Sequence, residues 1–417
     1  MAEIAHAFAE QTALQSTSDN TNWTDVVSMA STSFVVGGKY WLYVIGESSR
    51  NAGASFSHLR VVHGSTAFDE SVAVMTTRGS VAYICYAWQT VWTAISGEAV
   101  ALQHKVFTGG TDTIDTDNAE IVAIRLDADL TENTDWFFVE DAADLSLTTT
   151  YQDGASKTFT PGTASHDWLC VAMSQVDVTN TTNAVATRIN AAGTVTDTVP
   201  ECIGHPSNNN YIIVHTLMRV YEDLAASSQT FKEQSASITA NAHTRFHSSI
   251  FLLDLDKFKE HAQAYTAADL TLGTTAWADA IQTVGITPSS AGDVLFLGWW
   301  GADIGGGATG DVVSSRSQVD DTDAPGTQTT DAYTLWTGRA AADEYQVAHA
   351  TIENVTAAAH TLDLDGHKGA SATAPTAQYR SAIAVTMNLA AAALTTEQTL
   401  PAWVHQRLTV ALGRSYV

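Results

Sequence analysis

Cysteine is almost missing from this chain. Cys85, Cys170 and Cys202 are three among 417 residues, an odd number without paired spacing, which excludes a disulfide framework and a cysteine zinc centre. They read as core thiols. Basic residues are also scarce, 19 Lys and Arg against 45 Asp and Glu, and the resulting formal charge of −26 repels phosphate backbones and anionic lipid. Neither nucleic acid nor a membrane is an expected partner. No run reaches the roughly 18 apolar residues of a membrane-spanning helix. The opening, Met1 to Glu10, carries acids where a secretory signal needs a basic start, so the expectation is synthesis in a host cytoplasm with no signal peptide. Phosphate loops, dinucleotide fingerprints and zincin motifs are missing too. What is present is 45% hydrophobic residues, too many for a disordered acidic chain, in a length that suits about three domains.

Internal repetition organises the sequence. Apolar runs open at Tyr40, Asp167 and Asp293, spaced by 167−40=127 and 293−167=126 residues. Upstream of each lies an aromatic-x-Asp triplet: Trp23 to Asp25, Tyr151 to Asp153 and Trp277 to Asp279. Downstream, Arg60, Arg188 and Arg316 recur at intervals of 128 and 128, and Arg78, Arg219 and Arg339 at looser ones. A closing apolar run recurs from Ile121, Ile250 and Ala382. These intervals predict a tripled unit, with domains at 1–136, 137–262 and 263–395 joined by linkers of about twenty residues, and a C-terminal tail at 396–417. The tail holds Trp403, Leu408 and Val410, which read as an orphan strand needing an edge to pair with.

Within each unit, apolar runs of five to eight residues are punctuated by Gly, Asn, Asp, Ser and Thr clusters, and several alternate polar with apolar, as a half-buried strand requires. Helix candidates are confined to stretches near Asp256 and Pro401. The expected fold is all-β: three tandem antiparallel sandwiches of about 125–130 residues, jelly-roll-like, arranged as a ring or as a rod.

Arg60, Arg188 and Arg316 stand 35, 35 and 37 residues after Asp25, Asp153 and Asp279. Each Asp and Arg is expected to meet across neighbouring strands as a charge-assisted bridge, a packing device rather than a ligand site. The paired aromatics, Trp23, Tyr151 and Trp277, read as plugs for a sandwich end; the alternative is sugar stacking. Asp-rich loops at Asp112 to Asp117, Asp320 to Asp323 and Asp363 to Asp365 miss the spacing of a calcium hand and read as solvated surface. His243 and His247 lack a third metal ligand. The run from Gly53 to Ser57 lacks the final glycine of a nucleophile elbow. The residues thus point to no catalytic group, cofactor or metal.

Strand-rich chains high in Thr, Ala, Ser and Gly, poor in lysine and cysteine and built of tandem sandwiches resemble the accessory structural proteins of tailed-bacteriophage particles. The resemblance lies in composition and architecture. It implies a non-enzymatic virion component, a capsid decoration or cement, tail or fibre subunit, whose partners are other virion proteins or copies of itself. The alternative is an adhesin with three modules for a carbohydrate or receptor.

Overall fold

A computed structural model describes residues 3–390 except 12, 51–55, 76–83, 108–112, 179–184, 193–200, 205–210, 239–242, 274–276, 278, 304–310, 321, 324–332, 338–343 and 369–373. The expected orphan strand with Trp403, Leu408 and Val410, the helix candidate at Pro401, and Arg78 and Arg339 lie outside the described residues. Strands dominate. At the other helix candidate a single 3-10 turn, Leu255–Lys257, is all that fits before a strand starts at His261.

Eight main strands build a first sandwich: His6–Gln11, Thr24–Met29, Lys39–Arg50, Ser57–His63, Ala73–Met75, Ile84–Thr93, Val100–Val106 and Ile114–Arg125. Counted one to eight along the chain, they pair in the orders 1-8-3-6 and 2-7-4-5. Trp136–Asp141, Gln152–Phe159, His166–Val178, Val185–Ala192, Glu201–Gly204, Tyr211–Leu224, Gln229–Ser237 and His243–Asp254 follow, in the same two orders. So do His261–Thr266, Asp279–Ile286, Gly292–Asp303, Asp311–Val319, Tyr333–Thr337, Glu344–Val355, His360–Lys368 and Thr376–Thr386. All these ladders are antiparallel, and the order is that of a jelly roll. The 1-8-3-6 sheet of each sandwich is called inner below, and the other outer.

The ladders also fix which residues correspond. Val44 lies opposite Ile121, Ala172 opposite Ile250 and Gly298 opposite Ala382. Tyr40 therefore matches Trp168 and Val294, not Asp167 and Asp293 as the starts of the apolar runs imply. The slip is one residue, and in a strand one residue exchanges the faces. With it removed, Tyr40, Leu42 and Val44 fill the first sandwich, while Trp41, Tyr43 and Ile45 face the other way into a second apolar cluster. Leu295 and Leu297 share that cluster, while Val294 and Phe296 fill the third sandwich. Burial on both faces explains why these third strands read as unbroken apolar runs.

Connections between sandwiches are shorter than the twenty residues expected. Residues 126–135 separate the first from the second, and 255–260 the second from the third. The aromatic stretches at Trp136 and Tyr265, which look like linker in the sequence, are the first strands of their sandwiches. Ten and six residues hold each new first strand beside the preceding sandwich.

The contacts close a circuit. His6, Trp136 and His261 occupy one ladder position, opposite Ile124, Leu253 and Val385. His261 Nε2 meets Asp167 Oδ2 of the second sandwich at 3.1 Å, and Lys39 Nζ of the first lies 5.8 Å from the Trp136 ring centre. His6 Nε2 meets Asp293 Oδ2 of the third at 2.9 Å. Each sandwich grips the one before it, and the first grips the third. A head-to-tail contact that closes after three steps makes a ring rather than a rod.

Candidate functional site

The centre of this ring is densely bonded. Inner sheets meet there through rings and amides. Trp41 stacks on Phe251 with centroids 4.8 Å apart and planes 7° from parallel, a pairing that contributes about 0.5–1.5 kcal/mol beyond area burial. Trp41 Nε1 donates to Gln89 Oε1 at 3.0 Å, and Gln89 Nε2 donates across to the Val171 carbonyl at 2.7 Å. Thr216 Oγ1 donates to the Ala87 carbonyl at 2.6 Å. Because Trp88, Leu217 and His349 share a ladder position, Cys85, Val214 and Gln346 correspond. These three meet: Gln346 Nε2 donates to the carbonyls of Val214 at 2.7 Å and Cys85 at 3.2 Å, and its Oε1 accepts from Thr216 N at 2.7 Å. Equivalent residues in mutual contact mark a pseudo-threefold axis. Burial pushes the Cys85 thiol up, so it stays protonated and inert.

Three carboxyls lie near the seam between the first and third sandwiches. Glu10 stands opposite Glu120 in the ladder, and Glu120 accepts from the backbone of Ala350. Burial raises the proton affinity of Glu10, Glu120 and Glu353, and repulsion from a neighbouring carboxylate adds to it in each.

On each outer sheet the repeated arginine lies over the repeated aromatic. Arg60 is 4.1 Å from the Trp23 ring centre, Arg188 is 3.7 Å from Tyr151 and Arg316 is 4.6 Å from Trp277. The expected direct bridge from Asp to Arg is not how the first two sandwiches are built. Strands two and four are not neighbours; strand seven runs between them. Its glutamine joins the two charges: Gln103 accepts from Arg60 Nε at 2.9 Å and donates to Asp25 at 2.7 Å. Gln234 likewise accepts from Arg188 Nε at 2.8 Å and donates to Asp153 at 2.6 Å. In the third sandwich Asp365 takes the glutamine's place, and Arg316 donates to it at 2.9 and 3.0 Å. The side chain of Asp279 is outside the described residues. Sequence reasoning missed these intermediaries, although 234−103 and 365−234 are both 131, a constant interval of the kind that revealed the arginines. Burial lowers the pKa of Arg60 and Arg188, opposed by Asp25 and Asp153.

The interior of the second sandwich is polar at one end. Glu233 and Arg245, both fully buried, pair at 3.1 Å. Ser235 donates to the same carboxylate, and Arg245 also reaches Asp141 at 3.2 Å and the Asp153 carbonyl at 3.2 Å. Burial pushes Glu233 up to about 7, while Arg245 and the surrounding serines pull it back. Gly154 is required beside this pair, since a Cβ there would come within 2.1 Å of Glu233 Oε2 and 2.6 Å of an Arg245 nitrogen.

The acids expected in solvated loops are partly strand residues: Asp115 and Asp363 lie in the eighth strand of the first sandwich and the seventh of the third, and Asp115 is buried. Asp115 accepts from Ser16, Asp363 from Thr283, and Asp320 meets His360 and accepts from Thr361 N. Asp112 and Asp321 are outside the described residues. His243 and His247 are both buried. Of the Gly53 to Ser57 run, 53–55 are not described.

No family model matches this chain. No curated protein matches it either. Among solved structures, it is similar to a chain from the atomic structure of Sulfolobus Turreted Icosahedral Virus, with 10% identity and a TM-score of 0.19 over 87% of this chain and 83% of that one.

Proposed function

We propose that the chain is a structural component of a virus particle, a covalent counterpart of a trimeric building block that works through protein contacts and not through turnover. Descent from one jelly-roll unit copied twice accounts for the recurring strand order and spacing. The observation that carries this reading is the closed ring with its axis through Cys85, Val214 and Gln346. Protein so invested in holding three sandwiches together presents a fixed three-lobed block, and a shell or appendage is made of such blocks. A decoration, cement, tail or fibre position fits the composition. The adhesin reading has less support, because each repeated aromatic already carries a guanidinium over its ring. That is an internal use of the face a sugar would stack on.

Antibody labelling and mass spectrometry of purified particles test the proposal. The expected result is a high copy number at fixed positions on the particle, with a three-lobed outline for the isolated full chain in electron micrographs. Finding the protein only free in lysates, never particle-bound, overturns it.

A further inference from the structure

The three ring junctions balance charge in different ways. At the first corner Lys39 pairs with Glu132, and Arg125 Nε meets Asp127 at 2.9 Å. The Lys39 amide is bonded to Asp127 at 3.0 Å. At the second corner the Asp167 amide is bonded to Asp256 at 2.7 Å in the same way. The ladders place Asp167 where the first corner has Lys39, and Asp254 where it has Arg125. Two fixed cations have become two carboxylates, beside a third that is kept. Two imidazoles join them: His166 Nδ1 is 2.8 Å from Asp254 Oδ2, and His261 Nε2 is 3.1 Å from Asp167 Oδ2. Lys257 is held by Asp135 at 2.9 Å and its charge also acts on Asp254 and Asp256, a single ammonium beside several carboxylates.

The donors fall into two sets that share Asp256: His166, Asp254 and Asp256, and Asp167, Asp256 and His261, with ligand atoms inside 4.8 Å of one another. Two ligands on one tetrahedral ion at about 2.1 Å stand ~3.4 Å apart, so the hydrogen-bonded separations of 2.8 and 3.1 Å need open by only a few tenths of an ångström to become edges of a coordination sphere. Asp254 is 3% exposed, and a buried carboxylate wants a charge partner. The third junction repeats part of the pattern at the corresponding positions, with His6, Asp293 and the exposed Glu3.

We propose that the corner formed by His166, Asp167, Asp254, Asp256 and His261 binds one first-row divalent ion, Zn²⁺ in type, supplying the charge that Lys39 and Arg125 supply at the first corner. Imidazole with carboxylate favours such an ion over Ca²⁺ or Mg²⁺, which prefer oxygen alone. The ion ties the third sandwich to the second, whatever particle the ring belongs to.

The test is calorimetric titration of the chelator-stripped full chain with Zn²⁺, and separately with Ca²⁺. Expected are one saturable Zn²⁺ site per chain, a Tm raised by Zn²⁺, and visible d–d bands when Co²⁺ is used. Asp256→Asn is expected to weaken Zn²⁺ binding at least tenfold, because it belongs to both sets, and His261→Gln to weaken it as well. Glu132→Gln, at the first corner, leaves it unchanged. Wild-type protein without saturable Zn²⁺ binding, or with Ca²⁺ bound in preference, overturns the proposal. So does Zn²⁺ affinity unaltered in His261→Gln. Should Asp256→Asn fail to fold by circular dichroism, the wild-type titration and His261→Gln decide.

Discussion

Gln103, Gln234 and Asp365 share one position in the seventh strands, so the residues just before them correspond as well: Leu102 in the first sandwich, Glu233 in the second and Leu364 in the third. All three are fully buried. The two leucines belong to the apolar clusters of their own sandwiches. Glu233 instead needs Arg245, Ser235 of its own strand and Ser174 and Ser248 of the facing sheet, and is served by glycine at position 154. One fold thus tolerates opposite solutions at the same place, provided the buried carboxylate of the polar one is paired and hydrogen-bonded. The leucine solution is local, and the glutamate solution commits several strands at once.

The largest expected effect comes from breaking that commitment. Arg245→Met should destabilise the chain by about 3–5 kcal/mol, as removal of one partner from a buried pair does. Adding Glu233→Leu, which restores the residue type of the other two sandwiches, should recover most of the loss. Denaturant unfolding of both variants measures it, and a double variant no better than the single one would sink the comparison.

A smaller effect is set by pH. In the folded chain Glu233 titrates at about 7, above its ordinary value of 4.5. Its stabilising contribution is therefore complete below about 4.5 and is lost as pH rises through about 7. The stability of wild type relative to Glu233→Gln should therefore decline from pH 5 to pH 8, by up to about 3 kcal/mol. The buried His215 and His349 act in the opposite sense. Burial lowers both to about 4, so the stability they lend is present above 6.5 and is lost as pH falls toward 4. A chemical-denaturation series across pH in wild type and Glu233→Gln separates the two.

The smallest effect compares the outer faces. Arg316 holds a carboxylate, Asp365, whereas Arg60 holds a neutral amide, Gln103. Arg316→Lys should cost about 1 kcal/mol and become milder in high salt. Arg60→Lys should cost about 0.5 kcal/mol, chiefly from poorer stacking on Trp23, with little salt dependence. Equal costs with equal salt dependence would remove the distinction.

The fold was largely legible because its signals are chemical and periodic. Gly, Asn and Asp punctuation marked the strands, and Arg60, Arg188 and Arg316 sit at matching ladder positions on the outer sheets; the looser set does not hold, because Arg219 stands on an inner sheet at the position of Thr90 and Thr351. The apolar runs were legible in existence but not in phase: with both faces buried, no polar residue marks which way Trp41 points. The partners of the arginines were hidden for a different reason. Pairing Asp25 with Arg60 assumes that strands near in sequence are neighbours, but jelly-roll order inserts the Gln103 strand between them. Ring closure was beyond reach, since His6 and Asp293 stand 287 residues apart. The second corner was missed because its donors come from the ends of separate strands and a turn, with no motif spacing.

Gln346 shows what a single covalent chain permits. Three identical subunits around an exact axis would have to bring the same side chain there three times, so three amides would crowd a space that one fills. Here one amide serves both other backbones, and at its two counterpart positions stand a thiol and an isopropyl group. A ring made of three copies of any one third would meet there as three thiols, three isopropyl groups or three amides, and none of these sets reproduces the single bridge that Gln346 makes.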